Sequence, residues 1–389
     1  MTSTGPLAGI TVLDLTTSLS GPLASGILAD LGASVVKVER PAAPDRARTV
    51  GTRVGDISAM FHMANRGKRS IALDLQDPTD REVAVRLART VDVVVENFRP
   101  GVTERLGMDY PTLSALNDGL VYVSINGFGS TGPYSRRPAF DSLLQAYGGI
   151  AALQGRAAAD GTPELINHAV VDKVAGLIGA QGALAALLAR ERGAGGQHID
   201  VSMLEVAAWF VYLDAAGSST LLDAPRDLGD DATTGKRIAV QFSDGWGMLS
   251  LGHDASFAAT CGVFQVDLPL TDLTTTAERD AHPEEYEAVL DVIRRKAERM
   301  TRADAGGQLL AAGAMFAEVL DPAEIPGNEQ VVARDFFVES QHPVAGRIRE
   351  PRLPGEFSKT PTAPPRPSPS LGEHTRAVKS EVQVESAHA

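Results

Sequence analysis

One cysteine in 389 residues, Cys261, excludes an internal disulfide and any metal site built from paired thiolates. Positive charge is in short supply: 36 Lys and Arg against 49 Asp and Glu leave a net charge of −13. That balance argues against a nucleic-acid partner, whose phosphates must be neutralised, but leaves room for a local basic pocket holding a small phosphorylated ligand. The Ala-rich stretch near residue 180 is interrupted by Gly and Gln, so no bilayer-spanning run is expected. MTSTGPLAGI lacks a basic stretch followed by an apolar one, and no secretory leader is expected. The eight histidines (His62, His168, His198, His253, His282, His342, His374 and His388) show no metal-ligand spacing. There is no G-x-S-x-G elbow for a serine hydrolase and no internal repeat. These absences lead to the expectation of a soluble, cytoplasmic protein with no membrane, nucleic-acid or metal partner.

With 43% hydrophobic and 22% charged residues, the chain has the composition of a globular protein, and its length suggests two domains. Short β-branched runs at 10–15, 33–38, 70–75, 91–96 and 120–125 alternate with helical stretches at 23–31 and 80–90. Strand–helix–strand units of this length make right-handed crossovers, so an α/β domain with a mainly parallel sheet is expected. Residues 173–192 form the longest helix-like stretch, with Gly193 where a C-terminal cap belongs. A strand at 197–202 and a helix at 203–216 follow. Residues 220–245, rich in Asp, Thr and Gly, suit a linker, and a smaller domain begins near Gly247. A Pro-rich segment at 343–370 suits an extended return over a surface.

Three features could carry chemistry. The turn Ser18-Leu19-Ser20-Gly21-Pro22 follows the first strand but lacks the G-x-G-x-x-G spacing of a dinucleotide site. Glu39 could grip a ribose there, although Arg40 beside it favours a phosphate; an ordinary crossover is the alternative. A basic group comes next: Asn65-Arg66-Gly67-Lys68-Arg69, flanked by Arg40, Arg46, Arg48, Arg99 and Arg105. Guanidinium forks bind phosphate through paired charged hydrogen bonds, so this group is either an anion site or a solvated positive face. The third feature is Asp172, ahead of the long helix, as a simple N-cap or as a carboxylate kept ionised for nucleophilic attack. Asp141, beside an apolar helical stretch, could orient a backbone group or a partner side chain.

Taken together these segments resemble the class III CoA-transferases, which include formyl-CoA and carnitine CoA-transferases and the 2-methylacyl-CoA racemases. The likeness rests on GPLAGITVLDLTTSLSGPLASGILADLGASVVKVERP, ANRGKRSIALDL, VVVENFRPGVTERLGMDY, NGFGSTGPY and PAFDSLLQAYGG, then ALLARERGAGGQHIDVSMLE and PSPSLGEHT, in that order. It implies a Rossmann-like large domain from both chain ends with a smaller α+β domain inserted: residues 1–215, 216–325 and 326–389. It also implies an interlocked homodimer. Asp172 matches the catalytic aspartate. Arg40, Asn65, Arg66, Lys68 and Arg69 match the part that holds the phosphates of coenzyme A, and Asn97, Phe98 and Arg105 the next CoA-lining segment. The implied substrates are an acyl-CoA and a carboxylic acid. The implied route runs through an aspartyl anhydride and an aspartyl-CoA thioester, without a metal.

Three departures bear on specificity. Phe140 stands where the racemase branch has a histidine base, which favours transfer over racemisation. Leu19 stands where the formate/oxalate branch has Gln, and residues 229–247 hold only scattered glycines instead of a dense lid. Leu19 points away from oxalate, towards a larger or more apolar acyl group. The alternatives are a racemase or isomerase using Asp172 with another base, and an acyl-CoA-binding protein without turnover.

Overall fold

The computed structural model describes residues 4–155, 161–223 and 237–386. Contacts divide the chain into Met1–Leu213 with Asp335–Ala389, and Asp214–Arg334. The sequence reading placed these divisions at 215/216 and 325/326.

In the first unit, six strands form one parallel sheet: β1 (Thr11–Asp14), β2 (Ser34–Glu39), β3 (Arg69–Ala72), β4 (Val93–Glu96), β5 (Val121–Asn126) and β6 (Gln197–Ser202). Their spatial order is β3-β2-β1-β4-β5-β6. β4 and β5 are buried along their whole length, as expected of parallel strands covered on both faces. The direction of winding reverses between β1 and β4. At such a point the crossovers leave to opposite sides and open a crevice at the carboxyl ends of the strands.

Helices cover both faces. Residues of α1 (Ser20–Asp30), α5 (Val170–Ala189) and α6 (Met203–Tyr212) pack with Val12, Val35, Val95, Val123 and Ile125 on one side. Residues of α3 (Pro78–Thr90) pack with Leu13, Val36, Ile71, Val94 and Tyr122 on the other. α3 starts where its chemistry dictates: Asp77 accepts from the amides of Thr79 and Asp80, and Pro78 occupies the first turn. Two shorter helices, α2 (Ala59–Asn65) and α4 (Asp141–Tyr147), complete the elements near the site.

Helix α5 departs from expectation in two ways. It begins at Val170, with Ala169 as N-cap, so Asp172 lies in its first turn and is not the cap. Residues Val170–Ala194 are also long and apolar enough to cross a bilayer by length and composition, which the Gly and Gln interruptions had argued against. Here Ala175, Gly179, Ala183 and Ala186 bury one side of that helix in the core of the first unit.

The second unit holds an antiparallel sheet, ordered β9-β8-β7, from β7 (Arg237–Phe242), β8 (Gly245–Ser250) and β9 (Met315–Glu318). With α7 (Asp254–Val263), α8 (Pro283–Ala297) and α9 (Arg302–Ala311) it encloses Phe242, Leu249, Phe257, Cys261, Leu290 and Leu309.

The chain then returns to the first unit through a hairpin, β10 (Phe337–His342) and β11 (Gly346–Pro351), and ends in α10 (Thr375–Ser386). Buried polar contacts fasten the return. Glu350 lies 2.9 Å from His62 Nε2 and accepts from Arg66 at 3.2 Å and Ser340 at 3.0 Å.

The packing of α1 on α5 sets the geometry of the site and depends on a missing side chain. A Cβ on Gly176 would lie 2.9 Å from the carbonyl oxygen of Ser20 and 3.0 Å from Leu23 Cβ. Gly176→Ala is expected to force the two helices apart and to cost about 1–3 kcal/mol, measured by urea unfolding.

Candidate active site

The loop between β1 and α1 is fixed from below by buried charges. Asp14 has no exposed surface. It accepts from Lys68 Nζ at 2.8 Å, from Ser25 Oγ at 2.7 Å and from the Thr16 amide at 2.8 Å. Lys37, equally enclosed, lies 3.0 Å from Asp45 and donates to the Thr16 carbonyl at 2.7 Å. Burial alone would raise the Asp14 pKa, but the two ammonium groups hold it well below the usual carboxylate range. Burial dominates at Lys68, pulling it down to about 8. Higher in the loop, the Ser18 amide donates to Asp45 at 2.9 Å. Thr17 and Asn97 exchange two hydrogen bonds, of 2.9 and 2.7 Å. Ser18 is held at φ 71°, a region that a non-glycine residue enters only when its surroundings impose it.

Over the carboxyl ends of β1, β2, β3 and β4 lies a cavity of about 520 Å³. Leu15, Val38, Leu73, Phe98 and Leu106 form its apolar walls. Its polar lining holds Arg40, Arg81 and Arg105 with Thr17 and Gln76, and also the carboxylates Glu39, Asp45 and Asp74. Arg48 engages Glu39, Lys37 engages Asp45 and Arg40 engages Asp74. Arg40 is half-exposed and pairs with Asp74 at 3.2 Å. Arg105 is exposed and makes no ion pair with the described residues. Arg40, Phe98 and Arg105, distant in sequence, are thus brought to one pocket, while Asn97 sits beside it and anchors Thr17.

The remaining residues of the basic group are placed elsewhere, which differs from the expected anion site. Lys68 Nζ has four acceptors around its three N–H bonds, Asp14, Pro22 O, Ser25 and Asn65, all at 2.8–2.9 Å. Asn65 is buried against it and donates to Phe61 O at 3.0 Å. Arg66 forks onto Asp30 at 3.0 and 2.7 Å and also meets Glu350 and Pro351 O. Arg69 opens β3 at the amino edge of the sheet and pairs with Glu381 at 2.9 Å. Glu39 does not offer itself to a ribose either: Arg48 holds it bidentately at 2.8 and 2.7 Å. Lys68 and Arg66 are thus committed to partners inside the protein, whereas the Arg69–Glu381 pair is partly exposed.

Asp172 does not line the pocket; its carboxylate is faced by the amide and hydroxyl of Ser20, three residues along the chain from Thr17, which does. Burial first, and the charge of Asp141 second, push the Asp172 carboxyl up to about 6 against the hydrogen bonds from Ser20. Asp141 acts on the backbone, as its position suggested: its Oδ2 accepts the Asp172 amide at 2.9 Å. Ser20 and Gln145, which hold this corner together, were not picked out from the sequence. The i,i+4 spacing of Asp141 and Gln145 on one helix was the available signal.

Residues 7–375 match the family described as CoA-transferase family III. The chain belongs to that family. An acetyl-CoA:oxalate CoA-transferase of Acetobacter aceti is 35% identical over 97% of this chain and 96% of its own length. A succinate–glutarate CoA-transferase of Agrobacterium fabrum is 34% identical, over 97% and 96%. The crystal structure of a CAIB/BAIF family protein from Brucella suis superposes with a TM-score of 0.86 at 31% identity, covering 97% of this chain and 100% of that one. The protein is an enzyme of the CoA-transferase class, and its relatives act on CoA thioesters and carboxylates.

The two classes of cation in this CoA-transferase separate experimentally. Lys68→Met removes the one ammonium that bonds Asp14 directly, leaving only the field of Lys37, and is expected to cost about 3–5 kcal/mol in denaturant unfolding. Arg105→Ala, at the exposed rim, is expected to change stability by no more than about 0.5 kcal/mol.

Proposed function

We propose that the enzyme moves CoA from an acyl-CoA to a carboxylic acid through a covalent bond at Asp172. The observation that carries this reading is a partly buried carboxylate faced by the amide and hydroxyl of Ser20, which follows by three residues the Thr17 that lines an arginine-bearing pocket. In that pocket Arg40 and Arg105 meet the CoA phosphates, and Phe98 with its apolar neighbours takes the adenine. Arg40 must leave its half-exposed pairing with Asp74 to do so, which costs little at that exposure.

The chemistry then balances at the acyl carbon. An oxygen of the Asp172 carboxylate attacks the thioester carbonyl, the C–S bond breaks, and CoA leaves as a thiolate beside a mixed anhydride. The thiolate attacks the aspartyl carbonyl, the anhydride C–O bond breaks, and the donor acid departs, leaving an aspartyl-CoA thioester. The acceptor carboxylate attacks that thioester and the steps reverse. A carboxylate of pKa about 6 is ionised at neutral pH, yet is a stronger nucleophile than an ordinary aspartate. The Ser20 amide and hydroxyl are suitably disposed to stabilise an oxyanion on the aspartyl carbon.

Relatives named for oxalate and glutarate make a dicarboxylate acceptor a natural first probe. Leu19 favours acids larger or more apolar than oxalate; preference for oxalate across a panel of acids would refute that. Large aromatic side chains left exposed on the single chain, Phe140, Tyr147, Trp209 and Tyr212, support a homodimer.

Incubation with acyl-CoAs and hydroxylamine should place an adduct on the peptide containing Asp172, read by mass spectrometry; a trapped acyl group elsewhere would sink the mechanism. Asp172→Asn is expected to lower transfer by several orders of magnitude with CoA affinity nearly unchanged. Arg40→Ala or Arg105→Ala should instead weaken CoA binding by about 1.5–3 kcal/mol, measured by calorimetry.

The pH profile follows from the sign of the shift. Asp172 attacks only when ionised and its pKa is raised, so kcat is expected to be flat above neutrality and to fall as pH drops through about 6. A profile flat down to pH 4 would contradict that assignment.

A further inference from the structure

Gln145 is 2% exposed and uses its whole hydrogen-bonding capacity around the start of α5. Its Nε2 group donates to Asp141 Oδ1 at 2.6 Å, to Ile166 O at 3.2 Å and to His168 O at 3.3 Å. Its Oε1 accepts the Ile166 amide at 2.9 Å. Asp141, held on one oxygen by Gln145, uses the other to take the Asp172 amide at 2.9 Å. One carboxamide therefore ties α4 to the irregular segment ahead of α5 and, through Asp141, to the first turn of α5. A carboxamide combines donor and acceptor: its two N–H bonds serve the carboxylate and, one of them shared, the two carbonyls, while its oxygen takes the amide.

We propose that Gln145 is a positioning residue for CoA transfer: by clamping Asp141 and the 166–168 segment it fixes where α5 begins and so where the Asp172 carboxylate is presented. This rests on the reading of Asp172 as the nucleophile. Gln145 itself touches no reacting atom and acts through Asp141 and the backbone. Loss of the clamp leaves the pocket intact, since none of its lining residues belongs to α4 or α5. Binding and turnover should therefore part company.

The charged and titratable neighbours are few. Asp141 and Asp172 face the clamp. The His168 ring lies 3.3 Å from Lys173 Nζ at an exposed position. Ser20, from α1, is uncharged. Glu205 opens α6, and Tyr147 ends α4. On β5 and β6, Tyr122, His198 and Asp200 alternate with the residues that face α5 and lie on the opposite side of the sheet.

The test uses the full-length enzyme with Gln145→Glu and Gln145→Met. Substrates are succinyl-CoA with glutarate or acetyl-CoA with oxalate, whichever pair the wild type turns over faster. At pH 8 the carboxyl introduced by Gln145→Glu is ionised and repels Asp141. There kcat is expected to fall about 100-fold while KM for the acyl-CoA stays within about twofold. Burial and the neighbouring Asp141 charge raise the pKa of a carboxyl at this position, so at pH 5.5 its protonated form, which can donate to Asp141, is favoured. The ratio to wild type measured at the same pH should then recover to within about fivefold. Gln145→Met should lose turnover equally at both pH values, with a CoA affinity like that of the wild type. Equal ratios for Gln145→Glu at both pH values, or variants that lose only thermal stability and keep kcat, would overturn the proposal. Hydroxylamine trapping in the wild type separates the two ideas: no Asp172 adduct there removes the nucleophile, whereas an adduct with undiminished kcat in Gln145→Glu removes the clamp alone.

Discussion

A carboxylate with no contact to water, Asp14, sits between two equally buried ammonium groups, and the position of the active loop follows from that arrangement. Isolated, each of these charges would be very costly inside a protein. Together with the Thr16 backbone and the Ser25 hydroxyl they satisfy one another, and each contact constrains a different element. Lys37 brings β2, Lys68 brings the segment between α2 and β3, and Asp45 brings the chain beyond β2. The loop from Leu15 to Leu19 has no regular structure of its own, yet its amides and carbonyls are bound by these groups and by Asn97. A loop so tied presents Thr17 to the pocket and Ser20 to Asp172 without having to order on binding, which preserves affinity that ordering would consume.

The Asp172 corner works by opposition. Burial and the neighbouring charge of Asp141 destabilise the ionised carboxylate, while Ser20 stabilises it. Neither influence alone suits a nucleophile. Unopposed hydrogen bonding would leave an aspartate too weakly basic to attack a thioester, and unopposed burial would leave it protonated at neutral pH. Asp141 contributes twice, since the carboxylate that supplies the charge also binds the Asp172 amide.

Much of the fold was legible because β-branched runs separated by helical periods have few interpretations, and the order of the strands is what short right-handed crossovers produce. Asp172, Arg40, Phe98 and Arg105 could be singled out, whereas their surroundings could not. Lys68 and Arg66 read as free cations because their acids, Asp14 and Glu350, lie 54 and 284 residues away. Charge counted along a sequence presumes solvent, and only the tertiary structure shows which cations are enclosed. The start of α5 was misplaced for a related reason. An aspartate before a helical stretch looks like a cap, but the helix begins earlier without a capping side chain and is held by Asp141, 31 residues upstream.

The glycine fingerprint absent from the first turn marks a different use of the same fold. In a dinucleotide-binding sheet the amino end of the first helix receives a pyrophosphate on its free amides. In this chain that end begins Ser20-Gly21-Pro22, where Pro22 has no amide hydrogen and the Leu23 amide is already bonded to Leu19 O. The Ser20 amide faces the protein's own carboxylate, and a Cβ on Gly21 would collide with Thr16. The helix end is thus occupied by Asp172 and closed to an external anion. The proposed phosphate site lies past the loop, on the side where Arg40 and Arg105 stand half or fully exposed. In the proposed reaction the same loop would separate the polyanionic nucleotide from the Asp172 carboxylate, so that neither occupies the other's site.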